Sequence, residues 1–395
     1  MIITTEDFSD SFFSKFKILP GVKSSVVIPV KDEESYILKT LDSFANQKNL
    51  SGKPIDFKEF EILVLANNCS DQSVSIIKKF QIENPHINIY LEEVTLLPNQ
   101  ANIGFVRRKL MDCACARLIK NGGGIILTTD GDTMVAPDWI AQTQLEINSG
   151  AEVVGGRILL YPNELESLDE FTLSHHLKDE KYQLLIAELE GHIINYNFDP
   201  VPRHHQHFNG SFAITTGCYV KSGGVPVVDH LEDCAFFDRL RMIDAKIRHS
   251  HQVTVHTSAR WVGRTEIGLS YQLNIWKNLG TKVENCYVEC ADSIVHRLTE
   301  KRSLKDIWDL KGHITKVEFK QLIQQTIPEF FINDEIFDLF NTSIYFGEWY
   351  EKVTAFNQKR SAYKFPDVPI DIAIRDLQIR LKEYSNHDFV QTSIR

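Results

Sequence analysis

The sequence predicts an α/β protein with a Rossmann-like, mostly parallel sheet flanked by helices, and with a mainly helical C-terminal region. Its first 160 residues alternate between short apolar runs and segments with helical spacing. Such runs are typical of strands buried on both faces, and their alternation with helices favours βαβ units. Beyond about residue 295 the pattern stays helical with little strand signal. The four runs are SSVVIPV (24–30), FEILVLA (60–66), INIYLEEV (87–94) and GIILTT (124–129).

The chain of 395 residues is long enough for two or three units. We divide it into an N-terminal extension at 1–23, a domain at 24–290 and a helical region at 291–395. The aromatic-rich stretch at 328–350 is more typical of core than of an interface, although a homodimer through the C-terminal region is the alternative. The clearest C-terminal helix is amphipathic, and its apolar stripe is Ile370, Ile374, Leu377, Leu381 and Tyr384.

Composition excludes several classes of protein. The net charge of −10, from 53 acidic against 43 basic residues, disfavours a nucleic-acid binder, which more often carries a clustered basic excess. Seven cysteines are too few and odd in number for a disulfide framework, so we expect reduced, packed thiols. The N-terminus carries acids where a signal peptide carries bases, and no apolar run approaches the ~20 residues of a membrane span. We therefore expect a cytoplasmic protein without a transmembrane segment.

Polar clusters follow three of the predicted strands, at 31–34, 67–71 and 130–132. In open parallel sheets, ligands bind in the crevice beyond the carboxyl ends of the strands. In extended backbone Asp130 and Asp132 would point to the same side, and a carboxylate pair of this kind suits Mg²⁺ or Mn²⁺. The alternative is a turn that only ends the strand. Three clusters at three strand ends favour a ligand site.

Six motifs follow one another along the chain in a recognisable order. Together they resemble glycosyltransferase family 2, whose members have the GT-A fold. The resemblance covers about residues 24–265, and it implies a nucleotide-binding half at 24–135 and an acceptor-side half at 136–290. It also implies a metal-dependent enzyme that moves a sugar from a UDP- or GDP-type donor to an acceptor hydroxyl. The motifs are VVIPVKDEE, VLANNCSDQS, ANIGFVRRK, LTTDGDTMVAPDWI, NGSFAITTGCYVKSGGV and LEDCAFFDRL.

The resemblance assigns the nucleoside pocket to the first two motifs. Pro29, Val30 and Glu33 would line it, with Glu33 contacting the ribose or the base. Asn68 stands where the family often has an acid that contacts the base. This departure leaves the identity of the nucleotide open.

The next two motifs would bind the rest of the donor. Arg107 or Arg108 would reach toward the base or phosphate. Asp130 would contact the ribose or sugar. Asp132 would hold the Mn²⁺ or Mg²⁺ ion that bridges the diphosphate.

The pair Glu232-Asp233 would supply the catalytic carboxylate. In inverting members of the family, Asp233 would take the proton from the acceptor hydroxyl as that hydroxyl attacks the anomeric carbon. General-base help of this kind is worth roughly 10²–10⁴-fold. The alternative is structural, because acids in the first turn of a helix favour its dipole and cap its amides.

The stretch RHHQHFNG at 203–210 is predicted to lie on the acceptor side. Asn209 and Gly210 would border the acceptor, with the glycine leaving room for a sugar ring. The histidines His204, His205 and His207 have no cysteine or carboxylate nearby in sequence to complete a tetrahedral zinc site. They indicate a polar loop.

The segment VTVHTSARWVGR at 253–264 is similar to segments that close over the diphosphate in some relatives. His256 would be a third metal ligand. Arg260 or Arg264 would contact phosphate, since a guanidinium group matches phosphate geometry.

Three functions remain open at this point. The first is an inverting glycosyltransferase, and the second is a retaining relative of the phosphoglycerate-glycosylating type, in which a histidine after the catalytic helix often ligates the metal. The third is a sugar-nucleotide-binding module without catalysis. A nucleotidyltransferase fits less well, because it would normally carry a Gly-rich, basic loop after the first strand, where this chain has PVKDEES.

Overall fold

The computed structural model describes residues 12–228, 230–263, 268–282, 286–361 and 365–392. Residues 1–11 of the N-terminal extension and Arg264 therefore lie outside the described part of the chain. The chain divides into two compact units. Unit 1 comprises residues up to Leu173 together with Gln206–Asp238 and Lys246–Lys277, and unit 2 comprises Ser174–His205, Arg239–Ala245 and the residues from Asn278 onward.

Ten strands are described, and eight of them form one sheet in the order β3-β2-β1-β4-β7-β6-β8-β5. The pairs β1–β2, β2–β3, β1–β4 and β6–β8 are parallel, and the others in this sheet are antiparallel. The predicted α/β class with a mostly parallel sheet is confirmed. The strands are β1 Ser24–Val30, β2 Phe60–Asn67, β3 Ile89–Val94, β4 Ile125–Thr129, β5 Thr133–Val135, β6 Val153–Leu160, β7 Ser211–Thr215, β8 Ile247–Thr257, β9 Tyr287–Val288 and β10 Val368–Pro369.

Fourteen helices are described. The helices are α1 Ile37–Ala45, α2 Ser73–Glu83, α3 Ile103–Lys120, α4 Trp139–Asn148, α5 Pro162–Glu166, α6 Glu170–Ile194, α7 Thr216–Ser222, α8 Glu232–Met242, α9 Leu269–Lys282, α10 Ala291–Trp308, α11 Lys316–Thr326, α12 Asp334–Thr342, α13 Phe346–Ser361 and α14 Ile370–Thr392.

The core of unit 1 forms because β1 and β2 are buried along their whole length. On one face, α1 packs its apolar side chains against them, including Phe44, whose ring meets that of Trp139 edge-on at 6.1 Å. Trp139 is fully buried and donates from its indole Nε1 to Ser211 Oγ at 3.1 Å. Burying each such side chain stabilises the fold by about 1.5–3 kcal/mol. This rigid layer fixes the positions of the strand ends.

The sheet topology brings distant segments to the carboxyl end of β4. The antiparallel pairing of β4 with β7 sets Thr129 opposite Ser211, so the turn at 208–210 lies beside the end of β4. The antiparallel pairing of β5 with β8 sets Thr133 opposite Thr257, so the end of β8 lies beside Asp132. The three predicted polar clusters therefore share one edge with two later segments of the chain.

Unit 2 contains the C-terminal helices. The aromatic-rich stretch forms its core, as predicted, with Phe340 and Trp349 buried and Trp308 stacked on Trp349 at a ring-centroid distance of 5.5 Å. The predicted C-terminal amphipathic helix is α14, whose Ile370, Ile374 and Leu377 are buried. None of the helices in the described ranges is long and apolar enough to cross a membrane.

All seven cysteines are free thiols, in agreement with the sequence. Burial raises the pKa of the Cys115 and Cys218 thiols to about 12, so these two are inert packing groups.

A buried ion pair ties β2 to α3. Arg117 donates from Nε to Glu61 Oε1 at 2.9 Å and from Nη2 to Oε2 at 2.7 Å, and both side chains are buried. Ser25 Oγ also donates to Glu61 Oε1 at 2.8 Å. The pair is therefore fully hydrogen-bonded in the interior of unit 1.

We expect Glu61→Ala to lower the free energy of unfolding by about 3–5 kcal/mol, because it leaves the Arg117 charge buried without its partner. The measurement is urea unfolding followed by circular dichroism. The control is Glu93→Ala, which removes the exposed Lys78–Glu93 pair and is expected to cost under about 1 kcal/mol. Equal losses in the two variants would contradict the role given to the buried pair.

Candidate functional site

The two aspartates after β4 are each paired with an arginine. Arg107 Nη2 lies 2.6 Å from Asp130 Oδ1, and Arg260 Nη2 lies 3.0 Å from Asp132 Oδ2. The amide of Thr133 donates to the carbonyl of Asp130 at 3.2 Å, so a turn separates the two carboxylates. The structure does not show the expected convergence of both carboxylates on one point, because each faces its own guanidinium group. Those charges compensate the cost of burying the carboxylates.

Arg107 joins the end of β4 to the start of α8. Its side chain is 3% exposed and also donates from Nη1 to Thr128 Oγ1 at 2.6 Å. Its Nε lies 3.7 Å from Glu232 Oε1, and this Nε and the buried Nδ2 of Asn209 have no hydrogen-bond partner among the described residues. Burial raises the pKa of Glu232, and the nearby Arg107 opposes that rise. The buried Arg107 guanidinium group is thus paired with Asp130 of one motif and lies near Glu232 of another.

The pair Glu232-Asp233 forms the first turn of α8, as predicted. Leu231 precedes it with φ of +55°, in the left-handed region that leucine rarely adopts. Asp233 is half-buried and accepts from the amide of Cys234 at 2.8 Å. The backbone therefore turns sharply just before the two acids, which is typical of strain held at functional positions.

Arg260 bridges Glu33 and Asp132. It donates in a fork to Glu33, with Nη1–Oε2 at 2.7 Å and Nη2–Oε1 at 2.9 Å. Ser258 Oγ donates to Asp132 Oδ2 at 2.6 Å, and burial raises the pKa of Asp132 while Arg260 lowers it. A Cβ on Gly131 would lie 3.1 Å from Glu33 Cγ, so a larger residue here would require the Glu33 side chain to shift by a few tenths of an ångström.

The nucleoside-side candidates lie at the ends of β1 and β2. Pro29 and Val30 are the last two residues of β1, and both are buried. Asn68 follows β2 with φ of +51°. Its side-chain Nδ2 donates to the carbonyl of Leu96 at 3.1 Å, and its Oδ1 accepts from the backbone amide of Leu96 at 3.1 Å. The Asn68 side chain therefore holds the ends of β2 and β3 together.

Arg108 points elsewhere than Arg107. It donates from Nε to Asp112 Oδ2 at 3.2 Å and from Nη1 to the carbonyl of Val225. Tyr219 Oη donates to the other Asp112 oxygen at 2.7 Å. This buried network holds the loop ahead of α8, and the sequence did not reveal it. The spacing of Arg108 and Asp112 was a signal for their pairing, whereas nothing in the sequence indicated Tyr219.

His256 does not join Asp132. It pairs with Met134 in the β5–β8 ladder, while its neighbour Thr257 lies with its Oγ1 3.4 Å from Asp132 Oδ1. Because successive side chains of a strand point to opposite faces, His256 lies on the other face of the sheet from Thr257. Burial lowers the pKa of His256. The structure thus does not bring this candidate ligand to the aspartates.

Within the described ranges, one group of three potential metal-ligating atoms lies within 4.8 Å of one another, namely those of Asp32, Cys69 and Asp71. Asp32 there accepts from the amides of Ser70, at 2.7 Å, and of Asp71, at 3.3 Å, so the group also has a structural role in its turn. The histidines of the 203–210 stretch are not in this group. His207 stacks on Phe237, with a ring-centroid distance of 3.6 Å.

Asn209 and Gly210 border Asp130. The carbonyl of Asn209 accepts from Thr128 Oγ1 at 3.2 Å, and a Cβ on Gly210 would lie 3.1 Å from Asp130 Oδ2. The site therefore contains Asp130, Arg107, Glu232 and these two residues around the end of β4.

The residues at Asp132 fit a divalent cation. The carboxylate is a hard oxygen ligand of the kind that Mg²⁺ and Mn²⁺ prefer. A cationic guanidinium group already lies at this carboxylate, which shows that the position accepts positive charge.

No curated protein sequence matches this chain. Among solved structures, it is similar to a mannosyltransferase from Pyrobaculum calidifontis in complex with GDP-Man and Mn²⁺, at 13% identity and a TM-score of 0.44, covering 96% of this chain and 92% of that one. It is similar to S. aureus TarS in complex with UDP-GlcNAc, at 14% identity and a TM-score of 0.39, covering 93% and 92%. It is also similar to glucosyl-3-phosphoglycerate synthase from Mycobacterium tuberculosis in complex with UDP, at 15% identity and a TM-score of 0.35, covering 68% and 84%.

A protein-family comparison gives a match over residues 25–198, to the family described as glycosyl transferase family 2. The matched segment begins in β1 and includes Glu33, Arg107 and the Asp130–Asp132 turn, whereas Glu232, Asp233 and Arg260 lie beyond it. The resemblance drawn from the order of the motifs is confirmed. Residues 25–198, which make up less than half of the chain, thus match the model of glycosyl transferase family 2.

Proposed function

We propose that this chain transfers a sugar from a nucleoside-diphosphate sugar to an acceptor hydroxyl, with inversion at the anomeric carbon. The observation that carries the proposal is the position of Arg107, which is bonded to Asp130 and lies 3.7 Å from Glu232. Asp130, proposed to contact the donor sugar, and the Glu232-Asp233 pair, proposed for the acceptor side, thereby lie around the buried guanidinium group of Arg107. The transferred carbon would lie between them.

The donor would bind along the ends of β1, β2 and β4. Pro29, Val30 and Glu33 are proposed to face the nucleoside, which is of the UDP or GDP type, and Asp130 the ribose or sugar. Asp132 would hold a divalent cation, Mn²⁺ or Mg²⁺, which when bound offsets charge on the departing diphosphate. Arg107 rather than Arg108 is assigned to the donor side, because Arg108 is bonded to Asp112 and Val225.

The acceptor would enter beside Asn209 and Gly210. Asp233 takes the proton of the acceptor hydroxyl, whose oxygen bonds to the anomeric carbon while the bond from that carbon to the diphosphate oxygen breaks. Glu232 holds Arg107 in place. His256 was the reason to consider a retaining enzyme, and its position on the opposite face from Thr257 gives that alternative no support. We expect the enzyme to act in the cytoplasm.

We expect one of UDP, GDP, ADP and dTDP to bind more tightly in the presence of Mn²⁺, and Asp132→Ala to abolish this gain, because Asp132 is the proposed ligand of the cation. Calorimetric titration of each nucleotide, with and without Mn²⁺, measures this. Asp42→Ala, which removes an exposed acid from α1, is the control and should bind as the unaltered protein does. Failure of all four nucleotides to bind under either condition would show that the donor site is wrongly assigned.

We expect Asp233→Asn to lower turnover by roughly 10²–10⁴-fold while leaving nucleotide affinity unchanged, because the variant removes only the base. The measurement combines initial rates with NMR of the product's anomeric configuration. Asp238→Asn is the matched control, since Asp238 is an exposed acid on the same helix. Normal turnover in Asp233→Asn, or a product of retained configuration, would contradict the proposed mechanism.

We expect Arg107→Lys to lower kcat/KM by about ten- to a hundredfold, because lysine cannot bond Asp130 and Thr128 together and charge-assisted hydrogen bonds are worth about 1.5–3 kcal/mol. Arg108→Lys should cost clearly less. A larger loss in Arg108→Lys than in Arg107→Lys would show that the arginine assigned to the donor side is the wrong one.

A further inference from the structure

The carboxylate proposed to hold the metal is already contacted by groups of the chain itself, most closely at Oδ2. Asp132 Oδ2 receives Arg260 Nη2 at 3.0 Å and Ser258 Oγ at 2.6 Å. The hydroxyls of Thr133 and Thr257 lie 3.4 Å from Oδ1. A divalent cation therefore cannot reach Asp132 without replacing at least the guanidinium group.

Arg260 supplies one positive charge that two carboxylates of this cluster share. Glu33 and Asp132 are both buried, and Arg260 is paired with both of them. If a divalent cation bound while the guanidinium group stayed, two cations would contact one buried carboxylate. They would repel each other strongly, because the site is shielded from water. Metal and guanidinium are therefore competitors for Asp132.

Arg260 can leave Asp132 without a change in the fold of the backbone. The amide of the preceding residue, Ala259, donates to Glu164 Oε2 at 2.6 Å, and Tyr36 donates to the other oxygen of Glu164 at 3.1 Å. The backbone is thus anchored. The Arg260 side chain is 23% exposed, compared with 3% for Arg107, so a rotation of this long side chain is enough to release the carboxylate.

We propose that Arg260 is a built-in cation that blocks the metal position until a nucleoside diphosphate arrives, so that metal and nucleotide bind as a coupled pair. This inference rests on the proposed function. The planar guanidinium fork that now holds Glu33 matches a phosphate group equally well. The diphosphate takes over the guanidinium group, and Asp132 is freed for the metal. Since coupling between two ligands is reciprocal, the metal must tighten the nucleotide by the same factor as the nucleotide tightens the metal.

The test measures Mn²⁺ binding by electron paramagnetic resonance, with and without the diphosphate that the titration identifies. In the unaltered protein, we expect Mn²⁺ alone to bind weakly and the diphosphate to tighten it by roughly tenfold or more. In Arg260→Gln, Mn²⁺ alone should bind roughly tenfold or more tightly than in the unaltered protein, and the coupling factor should fall toward one.

Two further variants complete the design. Arg260→Lys keeps a positive charge but cannot form the fork, so its affinity for Mn²⁺ alone should lie between those of the unaltered protein and Arg260→Gln. Arg248→Gln, which alters an arginine of β8 that is paired with Glu146, is the matched control and should show the full coupling. Circular dichroism melting confirms that each variant is folded.

The outcomes separate this inference from the proposed function. Equal affinity for Mn²⁺ alone in the unaltered protein and in folded Arg260→Gln overturns the inference, and the proposed function then stands if the nucleotide still binds. Equal nucleotide affinity with and without Mn²⁺ in the unaltered protein also overturns the coupling. If neither Mn²⁺ nor any nucleotide binds to either protein, the donor site itself is wrong and both proposals fail.

Discussion

The site depends on the compensation of buried carboxylates by arginines that come from other parts of the chain. A parallel sheet places the ends of β1, β2 and β4 at one edge, and the sequence fills that edge with acids. Such a group is stable only if cations reach it, since an unpaired buried charge costs several kcal/mol. Arg107 from α3 and Arg260 from the segment after β8 meet this requirement. The proposed diphosphate and its divalent cation would bind at this edge of the sheet.

The two arginines differ in how firmly they are held, and this difference assigns them different tasks. Arg107 is bonded to Asp130 and Thr128 within the interior and lies near Glu232. It therefore serves as a fixed part of the site, coupling the positions of the donor-side and acceptor-side acids. Arg260 is partly exposed. A phosphate group could replace its present carboxylate partners, because carboxylate and phosphate both offer paired oxygens to a guanidinium group.

Much of the fold could be predicted from the sequence because β1, β2 and β4 are mostly apolar and the aromatic stretch of unit 2 is too apolar to be exposed. The Asp130–Asp132 turn and the Glu232-Asp233 helix start were likewise visible as motifs. The pairing of Glu33 with Arg260 could not be predicted, since the two are 227 positions apart and meet only through the β5–β8 register. Strand β5 has three residues, too few for a pattern, and this short strand sets the face on which His256 lies. The choice between Arg107 and Arg108 depends on which face of α3 points to the site. The sequence does not reveal this face, because buried residues lie on more than one side of the helix.

The Asp130–Asp132 motif is thus incomplete without its counter-charges. A pair of aspartates two residues apart suggests one shared metal, yet the turn at Gly131 separates them and gives each a separate cation. One carboxylate can then stay paired throughout while the other exchanges its partner. A site in which both aspartates shared one exchangeable cation would lose both counter-charges whenever that cation left. In the proposed exchange, Arg107 stays on Asp130 and keeps the sugar side in place while Arg260 moves from Asp132 to the diphosphate.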